Sequence, residues 1–222
     1  PCANITNIFN MSIRDNLRLV KSDDEVHDLI EAINNTNTGI NDLLLHMHVG
    51  CFEHELSDRF EYFGKVHGSR ELSFETIVGA GIDSTVLHHP IKQQTKQIND
   101  GELVLFDLGY KYNGYSADIS RTYPANGSFT DKQRKIYEAV LNCNKAIIDM
   151  VKPGLSIMQL QEAAIEILKN ECVRLKLIEK DDDIKRYYIH NVSHFLGLDT
   201  HDVGDRTQPL TKGNVITVEP GL

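Results

Sequence analysis

Glu102-Leu103-Val104-Leu105-Phe106-Asp107-Leu108-Gly109-Tyr110-Lys111-Tyr112-Asn113-Gly114-Tyr115-Ser116-Ala117-Asp118-Ile119 is the stretch whose reading decides the fold of this chain. An apolar run passes through Asp107 to Tyr112, meets Asn113-Gly114, and resumes from Tyr115 to Thr122. Asn-Gly is the preferred pair for a two-residue hairpin turn, because both positions need φ > 0. With these two as the turn, Tyr112 faces Tyr115, paired residue numbers sum to 227, and Asp107 faces Ser120. Asp118 lies two residues from Ser120, so Asp107 and Asp118 become diagonal neighbours on one face of the sheet. A bulge would alter that register. Two carboxylates together in an apolar hairpin are unfavourable unless neutralised. Divalent metal is the usual answer, with bridging carboxylates holding ions ~3.5–4 Å apart. The plainer alternative is that one Asp faces solvent or caps a turn.

Outward from the hairpin, capping boxes mark three helices. Ser22 and Glu25 open one near Asp23, continued by Val26, Leu29, Ile30 and Ile33 at helical spacing. Thr130 and Gln133 open another that runs to about Val151 and is stopped by Pro153-Gly154. Ser156 and Gln159 open a third, to roughly Lys176. A further helix is predicted over Glu53 to Val66, with Gly68 beyond its end, and strands over Phe74 to Ala80 and Val215 to Val218. Pro1 to Val20 has no clear period and reads as a lead-in; Asp181-Asp182-Asp183 reads as a solvated turn. Antiparallel rather than βαβ pairing indicates an α+β fold with helices covering one face of a curved antiparallel sheet.

The chain has 222 residues, 41% hydrophobic and 25% charged, which suits one sizeable soluble domain. Lys and Arg total 23 against 32 Asp and Glu, a formal charge of −9. That balance argues against nucleic acid or an anionic membrane as partner, since no basic stripe is present to meet phosphates. No apolar run approaches the ~18 residues of a membrane span. Cys2, Cys51, Cys143 and Cys172 are far apart and form no C-x-x-C pair. Reduced thiols and a cytoplasmic location are therefore expected. The start at Pro1 rather than Met suggests a fragment boundary.

Three more segments carry candidate chemistry. His190-Asn191-Val192-Ser193-His194-Phe195-Leu196-Gly197-Leu198-Asp199-Thr200-His201-Asp202-Val203-Gly204 holds three histidines within twelve residues. A lone histidine on an apolar face is usually a satisfied core residue, but three beside glycines point to metal ligation or proton relay. Thr217-Val218-Glu219-Pro220-Gly221 ends an apolar strand on a carboxylate, which taken alone reads as a turn. In Thr85-Val86-Leu87-His88-His89-Pro90, one or both histidines are candidates to line a pocket.

At these residues the chain strongly resembles the Xaa-Pro aminopeptidase and prolidase group of metallopeptidases with the pita-bread fold. The match runs from about Leu17 to Leu222, and the eleven-residue step from Asp107 to Asp118 is the family's spacing. The resemblance implies two divalent ions, most simply Mn²⁺, with Co²⁺ or Zn²⁺ as alternatives. Asp107 would bind one ion through both oxygens, Asp118 would bridge, His194 would be the sole imidazole ligand, and Glu219 would be a ligand that handles the proton of the attacking water. His88 and His201 match histidines that contact substrate and stabilise the tetrahedral intermediate, and His190 matches one beside the pocket for the proline ring. A fifth ligand, a glutamate on a later strand, is not reached by Leu222, so weak metal binding and little activity are expected of this chain alone. Family members also usually carry an N-terminal domain, of which residues 1–20 would be the linker and 21–222 the catalytic domain, lacking its last strands. Asn191 stands where a glycine commonly follows the first histidine.

The expected activity is hydrolysis of an N-terminal Xaa-Pro bond by an aminopeptidase, with a homodimer plausible by analogy. Prolidase, which takes only dipeptides, is the nearest alternative; a non-catalytic binding module on the same fold is another. Methionine aminopeptidase and creatine-hydrolysing relatives fit less well around His190 to Gly204.

Overall fold

A computed structural model of the chain describes residues 13–179 and 183–222. Its elements in chain order are helices α1 (Ile13–Leu19), α2 (Asp23–His46) and α3 (Glu53–Val66), strands β1 (Ile77–Ala80), β2 (Leu103–Leu108), β3 (Lys111–Tyr112), β4 (Tyr115–Ser116) and β5 (Ile119–Pro124), and helices α4 (Asp131–Met150) and α5 (Ile157–Arg174). Short 3-10 turns lie at Gly81–Thr85, Ile91–Gln93 and Ile184–Arg186. The mixture of helices and antiparallel strands is the α+β class expected from the sequence. The chain divides into two compact units, one made of Asp23–Thr130 with Leu198–Thr200, the other of the segment up to Ser22 with Asp131–Gly197 and His201–Leu222.

The first unit is built on the hairpin. Asn113 and Gly114 both have positive φ, 48° and 87°, as the tight turn requires. Lys111 pairs with Ser116 and Tyr112 with Tyr115. The same register carries into β2 and β5, where Asp107 faces Ser120 and Leu103 faces Pro124. Every pair keeps the sum of 227 read from the turn. β2 alternates strictly, with Val104, Phe106 and Leu108 buried in the core and Asp107 on the opposite face. β1 pairs along the other edge of β2, placing Ile77 opposite Asp107 in a three-stranded sheet ordered β1-β2-β5.

Between the two pieces of the hairpin, Gly109 and Tyr110 break the regular strand. A Cβ on Gly109 would land on the Ala117 carbonyl oxygen, so only glycine allows this approach. Tyr110 is buried and stacks on Phe60, ring centroids 4.1 Å apart. Its hydroxyl donates to the Phe60 carbonyl, and its backbone N–H donates to Thr36 Oγ1 at 2.9 Å. Gly39 of α2 and Gly64 of α3 make room for this ring. One aromatic side chain thus ties the hairpin to both helices of its unit.

The predicted strand over Phe74 to Ala80 is shorter than expected. Ile77 pairs with Asp107 but Leu72 bridges Tyr110, five steps on one side against three on the other. The two extra residues are accommodated between Leu72 and Ile77, so Phe74 to Thr76 leave the ladder.

In the second unit, α4 and α5 present Cys143, Ile147, Ile157, Leu160, Ala164, Leu168 and Cys172 to one apolar cluster, joined by Tyr188, Val192 and Phe195. The Ser156 capping box forms as expected: its N–H donates to Gln159 Oε1 at 2.9 Å, and its hydroxyl accepts from Gln159 N at 3.3 Å. The final strand does not form as a regular element. Val215 to Glu219 runs antiparallel to Val192 to Leu196 through Leu196 N to Val215 O, Thr217 N to His194 O and Glu219 N to Val192 O. It keeps only an isolated bridge between Phe195 and Ile216. α1 occupies part of the stretch that shows no period in the sequence, whose first twelve residues lie outside the described ones, as do Asp181 and Asp182 of the acidic turn. Cys51, Cys143 and Cys172 are buried free thiols, and no described helix is long and apolar enough to cross a membrane. Burial pushes the Cys143 thiol up to about 12, so it stays protonated near neutral pH.

Candidate metal centre

Asp107 and Asp118 lie in the first unit. Asp107 is half-buried on the central strand, and Ser120 Oγ donates to its Oδ1 at 2.9 Å. This bond fixes one carboxylate oxygen across the β2–β5 pair. Asp118 is half-buried in the short interruption between β4 and β5, two residues from Ser120. The register therefore puts both carboxylates on the face away from the core, as the hairpin geometry predicts. His88 belongs to the same unit and is exposed between two 3-10 turns.

His194, Glu219, His190 and His201 lie in the second unit. His194 and Glu219 meet because the final segment pairs with Val192 to Leu196. His194 Nε2 is 3.2 Å from Glu219 Oε1, and Thr217 Oγ1 donates to the same carboxylate oxygen at 3.0 Å. Thr217 Oγ1 also accepts the His194 backbone N–H at 3.0 Å. His194 Nδ1 is 2.9 Å from the Phe195 carbonyl. A carbonyl only accepts, so Nδ1 carries a proton, and in a neutral ring the lone pair would sit on Nε2, the nitrogen toward Glu219. That is the tautomer of a metal ligand. A separation of 3.2 Å also matches two donors sharing one ion at ~2.0–2.2 Å each. The donor pair therefore fits a divalent cation.

His201 packs edge-on to His194, with ring centroids 4.3 Å apart. Asp202, the next residue, is buried under two cations of the N-terminal segment: Arg18 Nη2 at 2.5 Å and Lys21 Nζ at 2.9 Å. Its backbone N–H donates to Phe195 O at 3.0 Å, and a Cβ on Gly197 would collide with its carboxylate. The loop that carries His201 is thereby pinned at its first turn. His190 lines a cavity of about 300 Å³ with Gln161, Tyr188, Ile189 and Asn191. Its Nε2 lies 2.7 Å from where a Cβ on Gly221 would stand, so Pro220-Gly221 approaches this ring closely. Burial raises the Tyr188 hydroxyl well above its ordinary value, keeping it a neutral group beside Gln161 Oε1 at 3.4 Å.

Residues 27–222 match the metallopeptidase family M24. This chain is a member of that family. It is 36% identical over 217 residues to the Xaa-Pro aminopeptidase of Escherichia coli, covering 93% of this chain and 49% of that protein. It is 32% identical over 210 residues to the Xaa-Pro dipeptidase of Pyrococcus furiosus, covering 93% and 56%. Among solved structures, the low-pH form of Escherichia coli aminopeptidase P superposes with a TM-score of 0.88 at 35% identity, covering 93% of this chain and 49% of that one. The M24 chain spans about half the length of these relatives. The fold is accordingly the pita-bread fold expected from the resemblance.

Several residues around these histidines in the M24 chain escaped the sequence reading. Arg18 and Lys21 lie 184 and 181 residues from Asp202, too far for any periodic signal. Thr217 looked like an ordinary strand residue. His89, a pocket-lining candidate, is instead buried against Glu53, while His88 is exposed. Glu53, Asp83 and His89 gather metal-ligating atoms within 4.8 Å of one another, and none of them belongs to the expected ligand set.

Proposed function

We propose that this chain carries the catalytic site of a metal-dependent aminopeptidase that hydrolyses the bond between an N-terminal residue and a following proline. The observation that carries the reading is the His194–Glu219 pair, with Nδ1 committed to a carbonyl and Nε2 turned to a carboxylate oxygen at 3.2 Å. Similarity to an Xaa-Pro aminopeptidase across nearly the whole chain supports it. In this reading residues 21–222 form the metallopeptidase domain and residues 1–20 lead into it, with the buried free thiols consistent with a cytoplasmic setting.

Asp107, Asp118, His194 and Glu219 would hold two divalent ions, Mn²⁺ first among them. When bound, the ions supply Lewis-acid polarisation of the scissile carbonyl and a water of lowered pKa. Asp107 is oriented for this by the Ser120 hydroxyl, and Glu219 by Thr217. Glu219 takes the proton of the attacking water and delivers it to the proline nitrogen as the C–N bond breaks. His201, held edge-on to His194, and His88 donate to the substrate carbonyl oxygen as it gains negative charge. A bond before proline offers no N–H, so selection must come from shape. The 300 Å³ cavity beside His190 is at the small end of ligand pockets and suits a ring of that size.

The test is hydrolysis of an Xaa-Pro-Xaa tripeptide beside an Xaa-Pro dipeptide by the purified protein with Mn²⁺. Preferred release of the N-terminal residue from the tripeptide is expected. The similarity to a dipeptidase makes prolidase the second reading, and preference for the dipeptide would establish it instead. Peptide binding without turnover of either would mark a non-catalytic member.

A further inference from the structure

We propose that Glu53, Asp83 and His89 form a separate binding site for one divalent transition-metal cation. All three lie in the first unit, and none is a ligand in the proposed catalytic set. One ligand atom from each side chain lies within 4.8 Å of the other two.

The electrostatics of the cluster ask for a cation. Glu53 is fully buried and His89 is 4% exposed. Glu53 Oε1 accepts the Ala80 N–H at 2.8 Å, a well-formed bond. Its Oε2 has only long contacts, His89 Nε2 at 3.3 Å and Lys96 N at 3.4 Å. Charge-assisted N–H···O bonds normally close to ~2.7–2.9 Å. Asp83 then brings a second carboxylate to the same place, half-buried, and no hydrogen bond or ion pair reaches that carboxylate among the described residues. The neighbouring ammonium is committed elsewhere, since Lys96 Nζ donates to Ala80 O at 2.7 Å and to Glu102 Oε1 at 2.5 Å. Even a protonated His89 would leave two carboxylates facing one positive charge. Such an arrangement in a mostly desolvated place is costly without further neutralisation.

A mixed set of two carboxylates and one imidazole suits Zn²⁺, Co²⁺ or Mn²⁺. Two ligands on one tetrahedral Zn²⁺ stand roughly 3.3 Å apart, given bond lengths of ~2.0 Å. The His89–Glu53 separation already has that value. Asp83 is the ligand that approaches, and its half-exposed side gives the ion a way in and a position for water. Glu53 opens α3, whereas Asp83 and His89 lie in the segment after β1. A bound ion would therefore staple that segment to the helix. Asp83 and His89 also bracket His88, so occupancy would restrain the backbone on both sides of that exposed ring. The binding claim stands apart from any catalytic role of His88.

The test is Zn²⁺ titration of the purified protein by calorimetry, with bound metal counted by elemental analysis. An Asp107→Asn/Asp118→Asn variant, which removes two carboxylates of the proposed catalytic set, is expected to retain about one tight Zn²⁺ per chain at this site. Adding Asp83→Asn or His89→Gln should weaken that ion at least tenfold, and Asp83→Asn alone should lower the metal count of the otherwise unaltered protein by one. Co²⁺ at the site should give visible absorption that Asp83→Asn abolishes. No retained ion in the double variant, or unchanged affinity and count after both further substitutions, would overturn the proposal. Asp83 is half-exposed, so its amide variant tests the site without opening the core.

Discussion

Asp107 and His194, proposed to ligate the same metal pair, are held by different means. Asp107 sits on a strand paired on both edges, with Ile77 on one side and Ser120 on the other. Its placement follows from backbone hydrogen bonds and a two-residue turn. His194 sits on a segment that has a few ladder bonds and no regular strand. Its ring is set by the Phe195 carbonyl, Thr217 and Glu219, and the loop beyond it by the buried Arg18–Asp202–Lys21 cluster. Backbone geometry is forgiving of side-chain changes on its exposed face. A segment fixed by charges and side-chain hydrogen bonds fails when a single group is removed.

The largest expected effect treats both halves alike. Asp118→Asn and Glu219→Gln should each lower peptidase activity by more than the ~10–100-fold typical of residues behind metal ligands, with loss of bound metal by elemental analysis. Retention of full activity in either would remove that residue from the proposed set. Asp202→Asn separates the halves. It leaves Arg18 and the buried Lys21 without their carboxylate, a change that typically costs ~3–5 kcal/mol. Urea unfolding should show that loss, and hydrogen exchange should rise around residues 194–204 while the β2 and β5 amides stay protected. Gly109→Ala attacks the backbone-built half, because its methyl group meets the Ala117 carbonyl. A destabilisation of about 3 kcal/mol is expected from forced overpacking, with faster exchange in β2 and β5.

The smallest effect concerns acid. Arg59 forms a forked pair with Asp42, at 2.6 Å and 2.7 Å. Its hydrogen bonds hold the Asp42 carboxyl below its ordinary value of 3.8. A carboxyl lowered in the folded state adds stability above its unfolded pKa and loses it as pH falls through the folded one. The wild-type protein should therefore lose stability below about pH 4 more steeply than Arg59→Ala. Equal slopes in acid unfolding curves would show that this strap between α2 and α3 contributes nothing.

The same contrast explains what the sequence revealed. Asn113-Gly114 is a local signal with one geometric solution, so the register followed from arithmetic and held through Pro124. Ser156 and Gln159 were legible for the same reason, both partners lying within one turn of helix. The strand predicted at Val215 to Val218 failed because a short apolar run does not reveal that only a few of its ladder bonds will form. Phe74 to Thr76 left the ladder through a mismatch that depends on where Leu72 finds Tyr110, information spread over two distant segments. The histidines of the second unit were recognisable by their density. Their orientation was not, because it depends on Thr217, Asp202 and two basic residues near the other end of the chain.

The Lys21–Asp202 pair has a consequence for how the chain is made. Its members are 181 residues apart. At a synthesis rate of ~5–20 residues per second, the ribosome needs roughly 9–36 s to produce Asp202 after Lys21. Over that interval residues 23–130 emerge as one continuous stretch holding both helices, the hairpin and the Tyr110 anchor. Arg18 and Lys21, by contrast, must wait as solvated cations for their carboxylate. The unit built from neighbouring sequence is expected to be protected on stalled nascent chains of intermediate length. The unit closed by Arg18, Lys21 and Asp202 should gain protection only once Asp202 has cleared the exit tunnel.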